Sequence, residues 1–427
     1  MVTRMMTAPT PLVALVVALA VACGGSASTR YTATDDAAGN AGDGSATDNS
    51  EGGLPINVTQ VFVDHGPAGL QTVNALYTTV TLCRPGTTIC QTIDHVEVDT
   101  GSIGLRILSS ALDPTLMLPQ KTAADGNTLM ECYQYVDGYN WGPVATADIR
   151  IGGETAAAAA LHIAGGAGSI GVPSTCSNVG MEEDTVMAFG GNGLVGMGFK
   201  NADCGALCAS TSPRAGQYYS CGSTGCMPTS VPIAEQLQNP VGLFATDNNG
   251  LAIRLPAIDG AGAPSVMGSL IFGIGTRSNN SLGAAQVLTI DSTRGFFVTT
   301  LAAQSPTASP TTIVAFVDSG SLSYAFPDPS LAQCPGALTG FFCPPTTVSL
   351  MATNTGQNHV SIATPFTVAA ANTLYGSGNA AFDDLAITTF GPTGYFDWGL
   401  PFFFGRTVFS AISGAMTPDG PGPYVAY

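Results

Sequence analysis

Along this chain the apolar positions come in short runs, interrupted every few residues by Gly, Pro, Asn or Asp. From Leu54 onward these runs read as strands: INVTQVFVDHG, then VNALYTTVTLC, a CRPGTTIC turn and TIDHVEVDTG. Their β-branched and aromatic content, with turn residues between them, predicts antiparallel sheet. ECYQYVDGYNWGPVATADIRIGG, Glu131 to Gly153, reads as one long hairpin that ends at a paired glycine. The clearest helical spacing lies in SVPIAEQLQNP, Ser230 to Pro240, with Pro232 near its start, and it predicts a short helix.

Two stretches before Leu54 have a different texture. Leu12 to Ala22 is an unbroken apolar run behind Arg4. It is shorter than the roughly 20 residues needed to span a bilayer, so residues 1–23 read as an export signal. Residues 24–53 are Gly, Ser, Ala, Thr, Asn and Asp with almost no apolar bulk. Such a segment cannot bury enough surface to offset its ordering entropy, which predicts a flexible tether.

Composition narrows the class. The 427 residues suffice for a large core, and 53 Gly with 28 Pro favour a strand-and-turn protein. Only 10% of residues are charged, the net charge is −17, and the 12 Lys and Arg form no basic stripe. No nucleic-acid partner is expected on that charge. Setting Cys23 aside leaves ten of the 11 cysteines, an even number suited to disulfides in an oxidising compartment. Short spacings suggest Cys83–Cys90, Cys221–Cys226 and Cys334–Cys343; Cys204–Cys208 and Cys132–Cys176 would complete the set. A nested Cys204–Cys226 and Cys208–Cys221 arrangement is equally open. With no His near the Cys204–Cys226 cluster, disulfides are expected there rather than zinc, and neither metal nor cofactor is expected elsewhere.

Two strings carry the candidate chemistry. VEVDTGSIGLRIL, Val96 to Leu108, and IVAFVDSGSLSYAF, Ile313 to Phe326, each run an apolar strand into Asp, a hydroxylated residue, Gly and Ser. One lies early and one late. Each is followed by an apolar run closing on glycine: Leu194-Val195-Gly196, and Phe403-Phe404-Gly405 within GLPFFFGR. A repeat in that order suggests two related halves that each supply one carboxyl. There is no Gly-x-Ser-x-Gly elbow, no His-Glu-x-x-His, no phosphate loop and no dinucleotide fingerprint.

The paired Asp strings resemble the active-site loops of pepsin-like aspartic peptidases. The closing Asp-Trp-Gly and GLPFFFGR strings are also similar to an uncharacterised family of exported bacterial lipoproteins related to pepsins. The resemblance implies an all-β, bilobal double barrel with a few short helices, its lobes at residues 54–245 and 246–427. It implies an endopeptidase in which Asp99 and Asp318 share one water and one proton. Gly101 and Gly320 would let the loops turn, Thr100 and Ser319 would tie them together, and Ser102 and Ser321 would orient the carboxyls. Tyr135 matches the tyrosine of the family's substrate-covering flap, while Val136 and Arg106 depart from the family's usual Gly and Trp. The partner implied is a peptide or protein substrate bound by a monomer; the alternative is a catalytically silent pepsin-like protein that binds a protein or polymer. Ala20-Val21-Ala22-Cys23-Gly24 resembles a bacterial lipobox, with Cys23 lipidated and Gly24 compatible with passage to the outer membrane.

Overall fold

The computed structural model describes residues 53–427 except 137, 213–215, 303–308 and 389–393. The export signal, nearly all of the tether and the Cys23 site lie outside the described residues.

The expected strand runs form two sheets, and the fold is all-β and bilobal. A 16-stranded sheet takes in most of the chain up to Thr289, then closes with the C-terminal strands Thr407–Ala411 and Tyr424–Ala426. Val58–Val63 joins the two parts of this sheet by pairing antiparallel with Val266–Phe272. A 7-stranded sheet is built from residues of the later half, including Phe297–Leu301, Thr311–Val317 and Phe396–Trp398. Apolar side chains on alternate positions of these strands make one large core; Val61, Val63, Val96, Val98 and Trp398 are all buried in it. Among the described residues no helix is long and apolar enough to cross a membrane.

The first Asp string ends the strand Cys90–Asp99 in the larger sheet, and the second follows Thr311–Val317 in the smaller one. Each lies beside a parallel partner that runs under the loop. Gly193–Met197 pairs with the first, setting Asp99 opposite Gly196. Phe396–Trp398 pairs with the second, setting Val317 opposite Trp398 and leaving Gly399 next in register. A Cβ on Gly399 would lie 2.7 Å from the Ser321 carbonyl oxygen, so only glycine fits against that loop. The second glycine run is therefore Asp397-Trp398-Gly399. Phe403, Phe404 and Gly405, expected in that role, instead belong to a 3-10 turn and the bend after it, where Gly405 faces Ala257.

The Glu131 to Gly153 hairpin forms as expected, from Thr128–Gln134 and Gly138–Ile151, with Tyr133 opposite Asn140. The disulfides are Cys83–Cys90, Cys132–Cys176, Cys204–Cys208, Cys221–Cys226 and Cys334–Cys343. Bridges in this number belong to a protein that matures in an oxidising, exported setting.

The helix expected over Ser230 to Pro240 does not form. Only Ile233–Glu235 makes a 3-10 turn, and Gln236 is extended. Tertiary partners take the groups a helix would use: Gln236 bonds both the N–H and the carbonyl of Gly205, and Leu237 N–H donates to the Tyr218 hydroxyl at 2.9 Å. The neighbouring Cys-rich segment is likewise more than a surface loop. Its strand Tyr218–Gly222 pairs with Thr128–Gln134, and Tyr218 and Tyr219 are buried.

Candidate active site

Asp99 and Asp318 are both fully buried, at the ends of strands from different sheets. Each carboxylate is held first by its own loop. Gly101 N–H donates to Asp99 Oδ1 at 2.7 Å and Ser102 Oγ donates to Asp99 Oδ2. In the second loop Gly320 N–H donates to Asp318 Oδ1 at 2.8 Å and Ser321 Oγ lies 3.0 Å from Asp318 Oδ2. A tight turn through a small residue is what allows the N–H two positions on to reach back to the carboxylate.

The loops are then tied across the interface between sheets. Thr100 N–H donates to Ser319 Oγ at 3.1 Å, and Ser319 N–H donates to Thr100 Oγ1 at 2.9 Å. Ser319 Oγ in turn donates to the Val98 carbonyl oxygen at 2.7 Å. These bonds press the loops face to face. A Cβ on Gly101 would sit 2.6 Å from Asp318 Oδ2, and one on Gly320 would sit 2.7 Å from Asp99 Oδ1. Glycine at both positions is what brings the two carboxyls together.

Two buried carboxyls so placed cannot both ionise cheaply. Burial pushes the Asp318 carboxyl well above the usual carboxylate range, and the Asp99 and Asp397 charges push it further in the same direction. A side-chain hydrogen bond between Asp318 and Asp99 acts the same way. These surroundings favour a protonated Asp318. Sequence reasoning gave Asp397 no role, although it sits in the Asp-Trp-Gly string. It is buried, and its Oδ2 accepts from Ser321 Oγ at 2.6 Å.

A family model described as "Protein of unknown function (DUF3443)" matches residues 53–427. The chain belongs to the DUF3443 family. A search of curated proteins finds no match. Among solved structures, the DUF3443 chain is similar to the aspartic proteinase from Irpex lacteus at 14% identity. That likeness covers 86% of this chain and 96% of the other, with a TM-score of 0.47. At that identity and score it says nothing about residues or activity.

Elsewhere in the DUF3443 chain the hairpin beside the dyad holds Tyr135 inside the protein. Its hydroxyl donates to Asn140 Oδ1 at 2.7 Å, and its ring lies 6.1 Å from Phe189. Tyr133, near the end of the strand Thr128–Gln134, has its ring 5.0 Å from that of Tyr135 but a different setting. The Arg106 guanidinium lies 3.5 Å from its ring centroid. Burial raises the Tyr133 phenol pKa, Arg106 opposes that, and the Asp99 charge adds to it, which places Tyr133 within electrostatic reach of the dyad. A tyrosine two positions away was the only signal for it in the sequence.

Arg106, noted as a departure from the expected Trp, is fully buried and paired. It donates to Glu131 Oε1 at 2.8 Å, to Asp203 Oδ2 at 3.3 Å and to the Ile103 carbonyl at 2.8 Å. His162 Nδ1 lies 3.1 Å from Glu131 Oε2, and Tyr218 donates to Asp203 at 2.9 Å. Burial alone would raise Glu131, but Arg106 and His162 outweigh it and hold the carboxylate below its usual range. Asp203 goes the other way: burial and the Glu131 charge push it well up. Burial also lowers His162, so the group centres on one positive Arg and one negative Glu.

Proposed function

We propose that this protein is an aspartic endopeptidase of the cell envelope. The observation that carries the reading is the pair of Asp-(Thr/Ser)-Gly-Ser loops pressed face to face, each glycine against the other loop's carboxyl. In that arrangement the ionised acid takes a proton from a water between the carboxyls, and the water oxygen attacks the peptide carbonyl carbon. The protonated acid donates to the carbonyl oxygen as the tetrahedral species forms. On collapse the C–N bond breaks, the nitrogen leaves with the dyad's proton, and a hydroxyl of the tetrahedral carbon gives its proton back to the dyad as the carboxylic acid forms, restoring the one-proton state. Burial and the neighbouring charges of Asp99 and Asp397 favour a proton on Asp318, which suits the acid and leaves the role of base to Asp99. Thr100 and Ser319 hold the loops in register, while Ser102 and Ser321 orient the outer oxygens.

The substrate class that fits is an extended peptide lying across both Asp loops, with apolar residues beside the cut bond. A lipid anchor at Cys23 would keep the enzyme on a membrane of the envelope, acting as a monomer. The test is cleavage of an unfolded protein in mild acid by the purified mature chain, with and without pepstatin, beside Asp99→Asn. Pepstatin-sensitive cleavage that disappears in Asp99→Asn is the expected result. A wild-type protein that folds yet cleaves no better than Asp99→Asn overturns the reading in favour of a binding protein.

A further inference from the structure

The two-acid scheme leaves one buried acid unused. Asp397 lies in Phe396–Trp398, the strand that runs under the second Asp loop. The corresponding position under the first loop, one residue before the one opposite Val98, is the apolar Leu194. A carboxyl has thus been placed where the other half of the molecule has a hydrocarbon. Ser321 Oγ lies 2.6 Å from Asp397 Oδ2 and 3.0 Å from Asp318 Oδ2 and so stands between the two acids.

A serine hydroxyl has a single proton to give. It can donate to one of these carboxyls, and the other contact becomes a hydrogen bond only when that carboxyl carries a proton and donates to Oγ. Both contacts are satisfied when Asp318 and Asp397 hold one proton between them. In the first loop Ser102 Oγ donates to Asp99 Oδ2, and the position matching Asp397 is the apolar Leu194. We propose that Asp397 is a positioning residue for Asp318, forming through Ser321 a three-carboxyl group with Asp99 that sets the pH range over which the dyad keeps its proton. This rests on the peptidase reading.

Asp397 is flanked in the sheet by two strands. Its parallel neighbour Thr311–Val317 carries no titratable group, and the short strand Tyr324–Ala325 on its other side contributes Tyr324. Asp318 is linked to it through Ser321, and the charges of both Asp99 and Asp397 act on Asp318. A negative Asp397 favours a protonated Asp318, so its presence extends the working range toward higher pH. Removing the charge should move the alkaline limb of activity to lower pH.

The test compares wild type with Asp397→Asn, whose side-chain oxygen can still accept from Ser321, and with Asp397→Leu, which copies the apolar residue of the first half. The pH profile of kcat/KM on a peptide is read together with infrared carboxylic-acid bands, which need no turnover. In both variants the alkaline limb is expected to fall by about one pH unit or more, the coupling typical of directly linked acids. The carboxylic band lost in Asp318→Asn should vanish at correspondingly lower pH. Superimposable limbs and bands in wild type and Asp397→Asn overturn the proposal, as does a shift in Asp397→Leu alone, which would mark a packing role. If wild type does not cleave peptide, the peptidase reading fails. The infrared shift in Asp397→Asn would still decide whether the three acids are linked.

Discussion

The closeness of the two Asp loops can be tested with one methyl group. In Gly101→Ala the new Cβ would lie 2.6 Å from Asp318 Oδ2, 2.7 Å from its Cγ and 2.8 Å from its Oδ1. A tolerable carbon–oxygen contact is about 3.3–3.6 Å, so relief requires roughly 0.7–1 Å of movement by Asp318 or by the loop. That carboxyl is held by Gly320 N–H and Ser321, and the loop is held by Thr100 and Ser319, so neither side moves freely. Overpacking of this kind costs about 1–3 kcal/mol, and a displacement near 1 Å at the reacting groups costs about 100-fold in rate. Urea unfolding should report the first figure, and kcat/KM on a peptide substrate the second. Gly171→Ala, where nothing lies within 4 Å of the added methyl, is the control and should match wild type in both assays. Gly320→Ala, with its Cβ 2.7 Å from Asp99 Cγ, should behave as Gly101→Ala does. A Gly101→Ala protein with wild-type stability would refute the face-to-face packing whether or not the protein cleaves peptides.

Two further outcomes follow from buried charge. Arg106→Met strands Glu131 as an uncompensated buried carboxylate and should cost about 3–5 kcal/mol in urea unfolding at neutral pH; Arg106→Met with Glu131→Gln should recover much of it, and no recovery would mean the pair is not the source. Asp384, pushed up to about 7 by burial and then by the Asp383 charge, is more easily protonated folded than unfolded. Its stabilising contribution is therefore full below the unfolded value of about 3.9 and is lost as pH rises toward 7. Asp384→Asn should match wild type in melting temperature in acid and exceed it at neutral pH, and equal melting curves across that range would refute the assignment.

What could be read from the sequence was whatever is specified locally. Strand runs such as Val96–Asp99 and the hairpin from Glu131 carry their own alternation and turn residues, and both formed in place. The cysteine pairs close in sequence were also found joined. The Asp loops could be found because each is one contiguous string whose Asp, Gly and Ser bond to one another within three residues. The Ser230 to Pro240 helix failed for the opposite reason: its periodicity was real, but partners at Gly205 and Tyr218 claimed Gln236 and the Leu237 N–H. The second glycine run was misplaced because GLPFFFGR is the more apolar string. What selects the run under an Asp loop is register with the strand before it, and Phe396–Trp398 has that register despite the acid in its middle.

Arg106 marks where such reading stops. A lone arginine in IGLRIL, a strand whose six residues are all buried, demands an acid, since an unpaired guanidinium in that setting would not be tolerated. That demand follows once the burial of the strand is known. Which acid answers does not, because Glu131 and Asp203 lie 25 and 97 residues away and reach Arg106 only through two later elements of the sheet. Those elements are the hairpin strand Thr128–Gln134 and the Cys-rich segment that pairs with it. The same arginine lies against Tyr133, within electrostatic reach of Asp99. Cys204–Cys208 begins next to Asp203 and Cys221–Cys226 joins the strand that carries Tyr218 to its neighbour, so both staples belong to the segment that supplies these partners. Loosening that segment should disturb the dyad's surroundings before it disturbs the dyad.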